Sequence, residues 1–290
     1  MKIEGWKYYN HAAIPTTAPH ENPDLTPIED KSIWKIDGKP ILARWTTDFD
    51  CAYETNWWYI IKDNLFDISQ LKAKRRYEIN KGIRNFNILQ IDPRKYSEEL
   101  YKVQVAAFSA YPSKYRPTVD KKSFVESVHR WENYVVIGAF HRESDELCGY
   151  ALLSLQSYRL VGLDVLKSNP DYEKEAVNAA LVYGVLRHLD SFLLNGGYIC
   201  DGARSINHET AFQDYLEKYF GFRKAYCKLN ITYNPKLKWI INLLYPIRKF
   251  LAKLDWIGKI HQLNSVFKME EIVRKQKSSL SETRRVIQSE

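Results

Sequence analysis

The sequence predicts a mixed α/β fold, a central sheet flanked by helices, and three observations predict it. Apolar runs at 135–140, 149–155 and 160–166 are strand-like, the first two joined by the polar turn HRESDE. A helical period then runs over 171–194, marked by Ala176, Ala180, Leu181, Tyr183, Gly184 and His188 and closed by Gly196-Gly197. After it come the short strand YICDG, a helix over 208–219, the dipeptide Gly221-Phe222 and a last strand over 224–233. Upstream, 86–91 has strand character, 95–110 is a helix with apolar Leu100, Val103, Ala107 and Phe108, and 121–130 is a second short helix. From residue 86 the order is β-α-α-β-β-β-α-β-α-β.

Taken from the N-terminus, residues 1–30 are rich in Pro, Thr and His without periodicity and predict an extended surface arm. WKIDGKPILARW predicts a hairpin turning at Asp37-Gly38, and NWWYII a further strand. A basic helix is expected over 67–84, with Ile68, Leu71, Ile79 and Ile83 as its apolar stripe. Lys72, Lys74, Arg75, Arg76, Lys81 and Arg84 crowd the rest against Glu78 alone. That face is either simply solvated or an anion platform, with Arg75 and Arg76 as candidate substrate-binding residues.

Residues 236–290 hold twelve Lys and Arg against five Asp and Glu, which is +7 of the chain's net +8. Within them Ile240, Leu243, Leu244, Ile247, Phe250, Leu251, Leu254 and Ile257 recur at helical spacing, with Pro246 as a kink. Two readings stay open: a helix packed on the domain, or an interfacial helix over 236–259 whose Trp239, Tyr245, Trp256 and cations suit a membrane surface. Beyond Glu270 the segment is a solvated helix or disorder. The expected division is 1–85 (arm, hairpin, basic helix), 86–233 (central domain) and 234–290 (basic helical segment).

The composition is 45% hydrophobic and 14% aromatic, enough for a packed core. No apolar run approaches the roughly 18 residues of a spanning helix, and the opening MKIEGWKYYNHAAIP has no signal-peptide core. The expected location is the cytoplasm, with peripheral contact at the inner membrane face if the interfacial reading holds. The four cysteines, Cys51, Cys148, Cys200 and Cys227, and the seven histidines are scattered without ligand spacing, so no metal is expected and the thiols are taken as reduced. Gly-x-Gly-x-x-Gly and Walker loops are absent, which removes support for a Rossmann or P-loop nucleotide site.

The element order, with Gly221-Phe222 after the penultimate helix, resembles the GNAT acyltransferase superfamily over 86–233. The basic helix running into FNILQI also resembles FemABX-type aminoacyl and acyl transferases. The resemblance implies N-acyltransfer, in GNAT enzymes commonly N-acetyltransfer, from acyl-CoA (acetyl-CoA) to an amine by direct attack. The FemABX alternative is aminoacyl transfer from aminoacyl-tRNA to a cell-envelope precursor, with a small-molecule, glycan or peptide amine as acceptor. A third reading is a GNAT-fold binding protein without turnover. The family's donor gap would lie between 160–166 and 198–201, with Leu163, Val165, Leu166, Lys167, Ser168 and Asn169 as cofactor-binding positions.

The usual glycine-rich pyrophosphate loop is replaced by KSNPDYEKEA. Asn169 caps, Pro170 opens the helix, and Asp171, Glu173 and Glu175 already answer its positive end, leaving only Lys167 to attract a pyrophosphate. The resemblance carries a general-acid tyrosine onto Tyr215, with Tyr219 second, each equally suited to packing. Asp201, His208 or Glu209 is the candidate base, Asp164 inside the third strand a second one, and Arg204 an anchor for an anionic acceptor. Asp201 is as readily a turn or cap residue. Asp164 is expected to point either into the acceptor side or toward a cationic partner, which a buried carboxylate would need.

Overall fold

A computed structural model describes residues 1–113, 116–206 and 211–287, with side chains described as far as Gln276. In chain order the strands and helices are β1 (Trp6–Tyr9), β2 (Ala12–Pro15), α1 (Thr26–Glu29), β3 (Leu42–Thr47), β4 (Trp57–Lys62), α2 (Ala73–Asn85), β5 (Phe86–Ile91), α3 (Ser97–Ser109) and α4 (Lys121–Val128). Then follow β6 (Tyr134–His141), β7 (Leu147–Ser157), β8 (Leu160–Ser168), α5 (Val177–His188), α6 (Asp190–Leu194), β9 (Tyr198–Ala203) and α7 (Ala211–Phe220). Last come β10 (Arg223–Tyr233), α8 (Pro235–Leu244), α9 (Arg248–Leu251) and α10 (Gly258–Ile287). From β5 onward the order is the predicted one, with α6 as an added turn of helix.

The chain forms two compact units. The first comprises Met1–Tyr59, Ala203–Thr210 and Lys224–Glu290; the second comprises Ile60–Gly202 and Ala211–Arg223.

In the first unit β1 and β2 form a hairpin whose two turn residues, Asn10 and His11, have φ of 45° and 65°. Two positive φ values are what a tight hairpin demands, and Asn tolerates them better than most residues. β2 pairs parallel with β3, and β3 antiparallel with β10 from Leu42↔Tyr233 to Thr47↔Lys228. Leu42, Trp57 and Leu229 share a buried cluster with Ile241 and Tyr245 of the helical segment and with Val266, Phe267 and Ile272 of α10.

In the second unit the strand order is β5-β6-β7-β8-β9, antiparallel through β8 and parallel between β8 and β9. Leu100 and Val103 of α3 and Val128 of α4 pack with Ile91, Val136, Phe140, Tyr150 and Leu152. Three residues before Ile91, Ile88 points to the opposite face. There it meets α5 so closely that a Cβ on Gly184 would lie 2.2 Å from its Cγ2. Helices therefore cover both faces, which is why these strands carry almost unbroken apolar runs.

Four local expectations change. The N-terminal arm is a strand hairpin rather than an extended coil. The hairpin at Asp37-Gly38 is replaced by a 3-10 turn, Ser32–Lys35, because Ile33 and Ile36, three apart, both join the Trp6, Ala13 and Ala43 cluster. The helix over 171–194 is broken into a 3-10 turn, Pro170–Glu175, then α5 and α6, with Ala176 left-handed at φ 68°. The basic helix begins at Ala73, since Asp67 caps a separate 3-10 turn, Ile68–Gln70. Beyond Glu270 the chain is helical, as the tail of α10.

Candidate functional site

Strands β8 and β9 share a parallel register over three pairs only, Leu160↔Tyr198, Val161↔Ile199 and Gly162↔Cys200, although β8 runs on to Ser168 and β9 to Ala203. Leu163, Val165, Leu166, Lys167 and Ser168 thus lie past the last β9 partner while their other edge stays paired to β7. The cause is local. Leu152 pairs with Val165 and Leu153 with Leu163, so Asp164 is the extra residue of a β-bulge, and a bulge bends its strand and increases its twist. Asp164 is exposed, and its recorded side-chain contact is from Gln156 Nε2 at 3.4 Å. The bulge interrupts the strict alternation along the strand and leaves Asp164 exposed, and among the described residues it has no cationic partner, which removes that one of its two expected directions.

Asp201 is the first β9 residue past that pairing. Burial pushes its carboxyl up to about 7, partly opposed by a hydrogen bond from Gln213 of α7. Its neighbour Cys200 is fully buried and pushed up to about 12, chiefly by burial, with Gly202 N donating to its Sγ at 3.2 Å. Cys148 is pushed up to about 11 by burial. Neither thiol is a nucleophile near neutral pH, whereas Asp201 can exchange a proton there.

Tyr215 sits in other company. Its ring lies 5.4 Å from Tyr219 and 5.3 Å from Phe220, and Arg75 stacks 3.3 Å above Tyr219 while pairing with Glu78. Burial, with Glu78 adding to it, raises the Tyr215 hydroxyl well above the usual phenol value. A helix turns by roughly 100° per residue, so Gln213, which meets Asp201, and Tyr215 face directions about 200° apart. The structure brings Asp201 to α7 but does not gather Asp201 and Tyr215 on one face of it. Arg75 is committed to these contacts, and Arg76 donates to Ser69 O at 3.1 Å.

Arg204 belongs to the first unit. It donates to Asn56 O at 2.7 Å and lies 4.5 Å from the Trp58 ring. The candidates His208 and Glu209 lie outside the described residues.

The segment before α5 is stitched down. Asn169 accepts from Asp171 N at 3.1 Å, Lys81 Nζ donates to Lys174 O at 2.8 Å, and Asn85 Nδ2 to Glu175 O at 3.3 Å. His141 Nε2 lies 3.1 Å from Glu175 Oε2, and Tyr172 donates to Glu146 Oε2 at 2.9 Å. Helix α2 presses on this segment so tightly that a Cβ on Gly82 would lie 2.7 Å from Ala176 O. Lys167 Nζ donates to Tyr111 Oη at 3.2 Å and lies 4.8 Å from the Phe108 ring. Sequence reasoning singled out neither Gln213, Gly82, Asn85 nor His141. Their partners lie between 12 and 94 residues away, and nothing in a local pattern signals them.

The first unit also holds a cavity of about 210 Å³ lined by Arg44, Trp45, Trp57 and Tyr59. Arg44 lies 5.8 Å from the Trp57 ring and 3.8 Å from Met269 Sδ, and burial lowers its pKa. The Trp57 indole N–H is buried without a hydrogen-bond partner among the described residues.

No protein-family model matches the chain, and no curated protein matches it in sequence. Solved structures do match in shape. L-PGS from Bacillus licheniformis is 11% identical over 82% of this chain and 83% of its own, with a TM-score of 0.50. A conserved protein of unknown function from Bacteroides thetaiotaomicron is 12% identical over 76% and 78%, with a TM-score of 0.52. A tandem GNAT protein from the clavulanic acid biosynthesis pathway is 8% identical over 77% and 75%, at 0.44. At such identities the likeness is one of fold. With its β-α-α-β-β-β-α-β-α-β order and its diverging parallel strand pair, the chain has a GNAT-like mixed α/β fold.

Proposed function

We propose that this protein transfers an acyl group to an amine by direct attack, and that the donor is an activated ester such as an aminoacyl-tRNA rather than acyl-CoA. The observation that carries the reading is the place of Asp201, the first β9 residue beyond the point where β8 and β9 part, where burial pushes its carboxyl up to about 7. The amine nitrogen attacks the acyl carbon and the acyl–oxygen bond breaks. Asp201 takes the amine proton and returns it to the departing ribose oxygen of the tRNA, which leaves as a hydroxyl. Backbone N–H groups of β8 beyond Gly162 are suited to the developing oxyanion. Tyr215, half-buried against Tyr219 and Phe220, acts in positioning α7.

The donor assignment rests on the segment before α5. A helix N-terminus binds a pyrophosphate through free N–H groups and positive potential. Here that end is preceded by Asp171, Glu173 and Glu175 in a turn tied to α2 and β6, with an alanine where backbone approach would favour glycine. Lys167 favours the second reading, an acyl-CoA bound in a displaced pose, because it is a cation on the gap strand itself. The likeness to L-PGS agrees with an acyltransferase fold of either kind.

The test is transfer of radiolabel from bulk aminoacyl-tRNA to a pool of envelope-precursor amines, followed against pH. Wild type should gain rate through pH 7, and Asp201→Asn should lose 10²–10⁴-fold, the range for a general base. Equal rates in wild type and Asp201→Asn would refute the assignment.

A further inference from the structure

We propose that the 236–259 face of the first unit docks on an anionic lipid bilayer. The segment has two apolar faces, and folding uses one. Ile241 and Tyr245 are buried, the Tyr245 ring lying 6.0 Å from Phe267 between the guanidinium groups of Arg248 and Arg274, at 4.1 and 4.0 Å. On the other face Trp239 (63% exposed), Leu243 (66%), Ile247 (49%) and Phe250 (63%) follow one another at intervals of four, four and three. Trp239 and Leu243 share one face of α8, and Ile247 and Phe250 continue the exposed apolar row through the 3-10 turn Tyr245–Ile247 into α9. Trp256, 77% exposed, extends it beyond the last turn. Single exposed apolar residues need no cause, but a stripe of five large ones in one short segment does.

Charge selects the occupant. Lys236, Lys238, Lys249, Lys253 and Lys259 are all exposed, and none of these lysines has an ion pair among the described residues. The sole acid of the segment, Asp255, accepts from Asn264 at 2.7 Å and lies 2.8 Å from His261 Nδ1. A second copy meeting this face on a two-fold axis would bring five lysines against five. An anionic headgroup layer would attract them while the acyl boundary takes the tryptophans and Phe250. Among the described residues no helix is long and apolar enough to cross a membrane, so the proposed contact is interfacial.

The experiment is sedimentation of the full chain with vesicles of phosphatidylcholine alone and of an equal mixture with phosphatidylglycerol. Binding is expected to the mixed vesicles, weakening with added salt, and little to the neutral ones. The triple variant Trp239→Ser, Phe250→Ser, Trp256→Ser should bind at least tenfold more weakly while melting within a few degrees of wild type. As a readout independent of any variant, brominated lipid should quench wild-type tryptophan fluorescence. Wild type left in the supernatant over mixed vesicles, equal partitioning of the triple variant, or absence of quenching would overturn the proposal. So would a salt-resistant dimer that the triple variant loses.

Discussion

Helix α2 and the 236–259 segment carry the same label in the sequence, basic and amphipathic, and the structure uses them in opposite ways. In α2 Lys74, Arg76 and Arg84 stay exposed, but Arg75 and Lys81 are drawn into contacts within the second unit. Arg75 spans Glu78 and the Tyr219 ring, Lys81 reaches a backbone carbonyl 93 residues away, and Gly82 lets the helix seat against α5. The second unit repeats this habit with Lys62, which is 2% exposed and held below the ordinary lysine value by burial, and with Asp201. Over 236–259 the lysines face outward together with Trp239, Leu243, Ile247, Phe250 and Trp256. The contrast teaches that charge count does not distinguish a strut from a docking surface. What distinguishes them is whether the apolar neighbours of the charges are already covered.

The largest effect should come from the inward charge at Asp201. Its carboxyl is raised from the usual 3.8 to about 7. The folded protein therefore keeps a proton there that the unfolded chain releases near pH 4. Stability from this group is full below about pH 4, falls as pH rises to about 7, and is flat above. Asp201→Asn should remove that fall and gain up to about 4 kcal/mol relative to wild type at pH 8, read from urea melts at pH 4 and 8. A parallel pH dependence in the two proteins would place Asp201 in water.

Next in size, Gly82→Leu should cost about 3 kcal/mol, because the added side chain has no room before Ala176 O and Ala180 Cβ. A melting point within a degree of wild type would mean that α2 is not a strut. Arg75→Met removes the stack on Tyr219 and the pair with Glu78 and should cost about 1 kcal/mol in the same melts. The smallest effect belongs to the outward face. Leu243→Ser should move stability by less than about 0.5 kcal/mol, since the side chain is already in water.

The strands and helices of the second unit were legible because both sheet faces are covered, so each strand is an apolar run bounded by turns and each helix keeps its period. The break at Ala176 was not legible. Alanine is the best helix former, and nothing local marks Ala176 as left-handed, whereas in the fold its carbonyl lies where a Cβ on Gly82 of α2 would meet it at 2.7 Å. The N-terminal hairpin was missed because its turn is Asn10-His11 rather than Asn-Gly. Asp201 could be placed at a strand end from sequence, but its raised pKa depends on burial beside α7, which no local pattern encodes. Asp164 lies inside its strand as the pattern implies, but its exposure was not legible, because a bulge is decided by the pairing of two strands, not by one.

An ester donor in a GNAT-like gap is tested by titrating the full chain with bulk aminoacyl-tRNA and, separately, with acetyl-CoA. Saturable binding of aminoacyl-tRNA that weakens steeply with salt, with no heat from acetyl-CoA, is the predicted result. Saturable binding of acetyl-CoA without binding of aminoacyl-tRNA would contradict it and would give the acyl-CoA reading its place.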